Sequence, residues 1–247
     1  MTTLVRSAVY QGLFYLWTAA LGLAYLPLLA APRRIVLAAA RLWCGGVLWL
    51  LRRCVRLTYE VRGGADRPAG PALYAIKHQS AWETLVLMRL FPDPAVVIKK
   101  ELFAVPLFGW QIWRLGMIPV DRKGAAAALR RMVALARKRL EDGRDVVVFP
   151  EGTRTPPGAA RPYHPGIAAL YRALDVPVVP VALDSGRYWG RREFVKRPGR
   201  IVVSFLAPIP PGLERAAFMA TLRERIETET AALLAEAARS DPCTSAN

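Results

Sequence analysis

A chain of 247 residues with 53% apolar content can bury one sizeable core and still carry an appendage. Its 35 Lys and Arg against 19 Asp and Glu leave a formal charge of +16, which calls for an anionic partner such as phosphate groups, acidic lipid or nucleic acid. Two histidines and three cysteines without ligand spacing argue against a zinc site and nothing suggests a disulfide framework, so a reducing compartment is expected, and no nucleic-acid recognition motif accompanies the charge.

Residues 8–31 carry no charge and include Tyr15, Trp17 and Tyr25. At ~1.5 Å per residue, such a helix could cross the ~30 Å hydrocarbon layer. A second apolar run, Ile35 to Leu51, carries Arg41 and is interrupted by Gly45-Gly46, which suits an interfacial helix better than a span. Arg33 and Arg34 argue against both runs crossing from the cytoplasm and back. Two geometries remain: the first run spans with its N-terminus outside, or the two form a hairpin in one leaflet. Both put the chain after about residue 56 on the cytoplasmic face, where Arg52, Arg53 and Arg56 can meet anionic membrane lipids.

From residue 57 onward, short β-rich runs alternate with helical ones. Strands are expected at Leu57–Val61, Ala72–Ile76, Ala95–Ile98, Met117–Val120, Asp145–Phe149, Val176–Leu183 and Ile201–Leu206. Helices are expected near Ala81–Leu90, Ala104–Arg114, Ala125–Glu141, Gly166–Leu174 and Glu214–Ala238. Mostly continuous apolar strands with helices between them imply an α/β fold: a mixed, mostly parallel central sheet flanked by helices, behind an N-terminal hydrophobic membrane anchor. The divisions are 1–56 for the anchor, 57–239 for the α/β domain and 240–247 for a disordered tail.

Lys77-His78-Gln79-Ser80-Ala81-Trp82-Glu83 stands where the second strand gives way to a helix. Ser80 to Glu83 fits the S-x-x-E capping box, a purely structural use of the glutamate. The alternative is that His78, lying before the helix, faces Glu83 across the first turn. Glu83 then accepts one ring N–H, and the other nitrogen is free to act as a general base for a hydroxyl. Three more strands end in charged clusters: Lys99-Lys100-Glu101, Asp121-Arg122, and Glu151-Gly152-Thr153-Arg154. Such recurrence at strand ends marks the crevice of an open α/β sheet, and arginines there can grip phosphate with paired hydrogen bonds. Each cluster alone reads equally well as a solvated loop or a structural ion pair.

Together these segments resemble the glycerolipid acyltransferase family typified by 1-acylglycerol-3-phosphate acyltransferases. The family's four blocks appear in order as His78 to Glu83, Gly116 to Arg122, Phe149-Pro150-Glu151-Gly152-Thr153-Arg154, and Val176-Pro177-Val178-Val179-Pro180-Val181. The resemblance spans roughly residues 72–185 and implies the glycerol-3-phosphate acyltransferase-like fold. It also implies an acyl transfer from acyl-CoA or acyl-ACP to a lysophospholipid acceptor, making phosphatidic acid in phospholipid biosynthesis at the inner membrane. His78 would be the base and Glu83 its orienting partner. Arg122, Glu151, Gly152, Thr153 and Arg154 would form the acceptor's glycerol-phosphate subsite, with Lys100 a further candidate. No metal and no bound cofactor is implied.

The chain departs from the family pattern in two places. Glu83 replaces the usual aspartate and is one methylene longer. Tyr163-His164-Pro165-Gly166 stands where relatives often carry a basic residue, and His164 itself reads as structural. The second departure keeps a phosphate-free acceptor such as a lyso-ornithine lipid open. A non-catalytic lipid-binding membrane protein on the same fold is the rival of another class. The absence of G-x-S-x-G disfavours a covalent serine route.

Overall fold

The computed structural model describes residues 2–65, 67–121 and 126–239; Arg122 and the tail 240–247 lie outside them. The described residues contain a seven-stranded sheet in the order β1-β7-β6-β2-β5-β3-β4. The strands are β1 Leu57–Arg62, β2 Leu73–Ile76, β3 Ala95–Lys99, β4 Ile118–Val120, β5 Val146–Val148, β6 Val178–Leu183 and β7 Gly199–Phe205. Neighbours pair in parallel except for the antiparallel β6–β7 seam. The sheet is therefore mixed and mostly parallel, as the continuous apolar runs imply.

Strand alternation sends side chains into two cores. Tyr74 and Ile76 of β2 join α1 (Thr3–Ala24), α2 (Arg33–Leu50), α3 (Trp82–Leu90) and α4 (Phe108–Arg114) on one face. Leu73 and Ala75 join α5 (Ala126–Glu141), α6 (Gly166–Leu174) and α7 (Arg215–Arg239) on the other. Because β2, β5, β3 and β4 are parallel neighbours, their carboxyl ends open at one edge of the sheet, the place where such sheets bind ligands.

The N-terminal segment differs from the expectation. The uncharged run does not form one helix: α1 ends at Ala24, and a short 3₁₀ turn containing Pro27 covers Leu26–Ala30. Gly45-Gly46 does not interrupt α2 either. Among the described residues, the apolar helix long enough to cross a membrane by length and composition is α2 together with the π-helical turn Leu51–Val55 that continues it, Arg33–Val55 with mean hydropathy 1.6. The physical reason is packing: a Cβ on Gly46 would lie 2.4 Å from the Trp17 indole, so the missing side chain makes room for that ring. Trp17 Nε1 then donates to Trp43 O at 3.2 Å, and Trp43 Nε1 donates to Thr18 Oγ1 at 3.2 Å. At the start of α2, Arg33 grips Asp93 through both guanidinium nitrogens at 2.7 and 2.5 Å. Val47, Leu51 and Val55 are fully buried against the domain.

The β6–β7 seam is pinned at its end by Asp184, whose Oδ1 accepts from Val202 N at 2.8 Å. Burial pushes the Asp184 pKa up to about 6. A raised carboxylate keeps its proton in the folded chain after the unfolded chain has lost its own, so its stabilising contribution is complete below about pH 4 and declines as pH rises through about 6. Asp184→Asn, which retains the acceptor oxygen, should flatten that slope. Urea midpoints of both proteins between pH 4 and 7 measure the difference.

Candidate active site

Lys77 N–H donates to Val181 O at 2.9 Å, so the ladder between β2 and β6 runs one residue past the strand. Lys77 and His78 consequently leave the backbone toward opposite faces of the sheet. The His78 backbone is tied on both sides to the loop after β5: its N–H donates to Glu151 Oε2 at 2.7 Å and its carbonyl accepts from Thr155 N at 2.7 Å. Its ring stacks on Phe149 with centroids 4.1 Å apart. Histidine Nδ1 lies 3.1 Å from Glu83 Oε2.

Glu83, on the first turn of α3, is 0% exposed. Its carboxylate accepts from Gln79 N at 3.2 Å, from Ser80 N at 2.8 and 2.9 Å, and from the Ser185 hydroxyl. Ser80 Oγ in turn accepts from Trp82 N at 3.2 Å. Helix cap and histidine partner, which compete as readings of the sequence, are one and the same carboxylate. The extra methylene of glutamate over aspartate is accommodated by this turn. With Nδ1–H donated to Glu83, the Nε2 lone pair is left for the cavity that His78 lines.

Behind the histidine, on the opposite face, Lys77 is 1% exposed and lies 2.8 Å from Glu151 Oε1 and 2.7 Å from Glu227 Oε1 of α7. Tyr163 OH donates to the same Glu227 oxygen at 2.9 Å. Burial pushes the Glu151 carboxyl above its usual range, the Lys77 ammonium pulling the other way. Burial and the two carboxylates push the Tyr163 phenol up as well, so it remains a donor. Glu151 thus turns its oxygens to Lys77 and to the His78 amide.

The cavity in front of His78 has a volume of about 880 Å³. Its polar wall holds His78, Gly152, Thr153, Arg154, His164, Lys99 and Asp121. Its apolar wall comes from β3, α5 and α6, with Val96, Ile98, Leu129, Met132 and Ile167. Gly152, in the left-handed region at φ 65, closes the turn after β5 through its N–H to Phe149 O at 2.9 Å. Lys100 is engaged with Asp121 and is half exposed outside the wall. Of the candidates named from the sequence, His78, Glu83, Gly152, Thr153 and Arg154 come together here. Glu151 lies beneath them, Lys100 to one side, and Arg122 outside the described residues.

Sequence reasoning missed five contributors. Lys77 is adjacent to His78, and strand alternation was the signal that it serves the other face. Ser185 lies 102 residues beyond Glu83, and Glu227 lies 150 residues beyond Lys77, separations that no local pattern links. The cavity is also lined by Arg191 and Arg192, beyond the fourth motif block. Chemically, the arrangement is a carboxylate-oriented imidazole able to take a proton from a hydroxyl, beside a guanidinium and an apolar chamber. Ser80 and Ser185 are both buried and spent on the Glu83 turn, so neither is presented to the cavity as a nucleophile.

Residues 58–184 match the family model described as Acyltransferase. The chain is 36% identical over 194 residues to the 1-acyl-sn-glycerol-3-phosphate acyltransferase of Pseudomonas aeruginosa, covering 78% of this chain and 76% of that one. It is 29% identical to the lyso-ornithine lipid O-acyltransferase of the same organism, covering 68% and 71%. The crystal structure of the 1-acyl-sn-glycerophosphate acyltransferase of Thermotoga maritima superimposes with a TM-score of 0.75 over 95% of this chain and 98% of that one; at 20% identity, this is a likeness of fold.

Lys77→Met would leave two carboxylates facing each other without their cation. Removing one partner of a buried ion pair costs about 3–5 kcal/mol, so the urea midpoint should fall markedly. Lys77→Met combined with Glu151→Gln, which keeps an acceptor for the His78 amide, should recover part of that loss.

Proposed function

Since this chain belongs to the acyltransferase family, we propose that it transfers a fatty acyl group from a thioester donor to the free sn-2 hydroxyl of a 1-acyl-glycerol-3-phosphate, making phosphatidic acid. The observation that carries this reading is the His78–Glu83 pair opening on a cavity that joins an apolar chamber to Arg154. The donor is a fatty acyl thioester on coenzyme A or acyl carrier protein, and its chain suits the apolar wall.

The transfer is direct. Nε2 of His78 takes the acceptor's proton as the oxygen attacks the thioester carbon. The tetrahedral oxyanion collapses, expels the thiolate, and the imidazolium returns the proton to sulfur. Glu83 holds the ring in the productive tautomer and faces the imidazolium as it forms. Arg154 pairs with the acceptor phosphate, and Gly152 and Thr153 bring the backbone close to it. Thiolate is a good leaving group, so a general base contributing ~10² to 10⁴-fold, with positioning by the phosphate grip, meets the chemical demand. Lys100, through Asp121, and Glu151, through the His78 amide, support the site from outside it. Arg122, which the motif resemblance assigns to the same subsite, lies outside the described residues.

Membrane attachment through a hairpin in one leaflet is supported by two contacts and the chain connection. Arg33 at the start of α2 bonds Asp93, Arg41 in its middle donates to Phe91 O at 3.0 Å, and its end leads into β1. The helix therefore lies along the domain rather than projecting from it, and the outward faces carry exposed apolar side chains such as Leu16, Leu23, Leu42 and Trp49. We assign this attachment to the cytoplasmic face of the inner membrane, with anionic lipids meeting Arg52, Arg53 and Arg56.

A phosphate-free acceptor is the second reading, favoured by the likeness to the lyso-ornithine lipid acyltransferase. Purified protein in detergent, given labelled acyl donors and a panel of lysolipids, separates the two: transfer to 1-acyl-glycerol-3-phosphate is expected, and transfer confined to phosphate-free acceptors would overturn the assignment. In the same assay His78→Ala should lower turnover by ~10²-fold or more while the protein still binds vesicles. Glu83→Gln should fall between wild type and His78→Ala.

A further inference from the structure

Past the fourth motif block and past the family-matched residues 58–184, the loop from Tyr188 to Arg197 brings two more guanidinium groups to the cavity. We infer that Arg191 and Arg192 form a phosphate-binding arm of the acceptor site, facing the same cavity as Arg154. This rests on the reading of the chain as an acyltransferase for a phosphate-bearing lysolipid.

The loop is closed and braced. Arg197 N donates to Tyr188 O at 2.8 Å and Glu193 N to Gly190 O at 3.3 Å. At its base Lys196 is buried against α1: its N–H donates to Ser7 Oγ at 2.9 Å, and its ammonium donates to Gln11 Oε1 at 3.0 Å and Phe194 O at 2.8 Å. Ser7 and Gln11 are four residues apart, on one face of α1. The ammonium also lies 5.1 Å from the Trp189 ring centroid and 5.6 Å from that of Tyr10, within cation–π range. A tip held this way presents its side chains at little further cost in chain entropy.

Among the described residues, nothing compensates the charges at the tip. The loop's own carboxylate, Glu193, is taken by Arg197 at 2.9 Å. The cavity's acid among the described residues, Asp121, is taken by Lys100. Neither Arg191 nor Arg192 has a hydrogen bond or ion pair with a described residue, and Arg154 has none. Arg192 further holds φ 60, a left-handed backbone that costs a residue with a Cβ some stability. Three unpaired guanidinium groups from two separate loops lining an otherwise largely apolar cavity match a phosphomonoester, whose dianion offers several acceptor oxygens to planar donor forks. A lysolipid without phosphate would leave this cluster unanswered.

The test is steady-state kinetics of wild type and the Arg191→Ala/Arg192→Ala variant in detergent, varying 1-acyl-glycerol-3-phosphate and the acyl donor separately. Both side chains are exposed, and matching thermal unfolding curves will confirm that the variant folds. The expected result is a rise of about 10- to 100-fold in the acceptor KM, the range for losing charge-assisted hydrogen bonds, with the donor KM and kcat close to wild type. Arg191→Lys/Arg192→Lys, which keeps charge and loses the fork, should fall between. An unchanged acceptor KM, or a rise confined to the donor KM, overturns the inference. If wild type itself does not use 1-acyl-glycerol-3-phosphate, the failure lies with the functional reading and not with the arm.

Discussion

The site depends on one buried carboxylate. Glu83 is sealed from solvent, and an unpaired charge there would be costly; two backbone amides, the Ser185 hydroxyl and the His78 ring supply its partners. Each partner comes with its own constraint. The amides belong to the turn between β2 and α3, so the helix start is locked to the strand end. Ser185 lies just after β6, so the neighbouring strand is locked to the same point. The histidine cannot swing away without leaving the carboxylate short of a donor. Orientation of the imidazole is thus a by-product of satisfying a buried charge.

A second set of buried charges works on the other face of the sheet. Lys77 joins Glu151 and Glu227, and Glu151 reaches through to the His78 amide. The two networks meet at the backbone of residues 77 and 78, whose side chains alternate across the sheet. Glu151, in the most specific motif of the chain, acts on the site through the backbone, whereas its neighbours Gly152, Thr153 and Arg154 line the cavity. The motif therefore does two jobs, one holding the histidine and one facing the ligand.

The N-terminal helices are more than a tether. Their inner faces are part of the core under the sheet, and α1 also holds the Lys196 loop that carries Arg191 and Arg192. The outward apolar faces of the two helices and the loop that lines the cavity are thereby linked through a few hydrogen bonds. Such an arrangement suits a substrate whose chains remain in the bilayer while its headgroup is handled by the domain.

Local chemistry made much of this legible. Strands buried on both faces read as apolar runs, so all seven coincide with windows expected from the sequence. His78 and Glu83 are five residues apart, and a strand-to-helix turn is enough to bring them together. What no local pattern contains is which strands are neighbours. The order β6-β2-β5 sets Ser185 beside Glu83 and Glu151 beside Lys77, and such long-range loop closure, over 102 residues for Ser185 and Glu83, is governed by packing of the whole sheet. The same holds for α2, whose Gly45-Gly46 looked like a break and whose Gly46 is a seat for Trp17, and for Arg191 and Arg192, whose loop acquires a direction only once Lys196 is anchored on α1. Short-range propensity and burial determined the elements and the reactive pair; long-range packing alone decided what surrounds them.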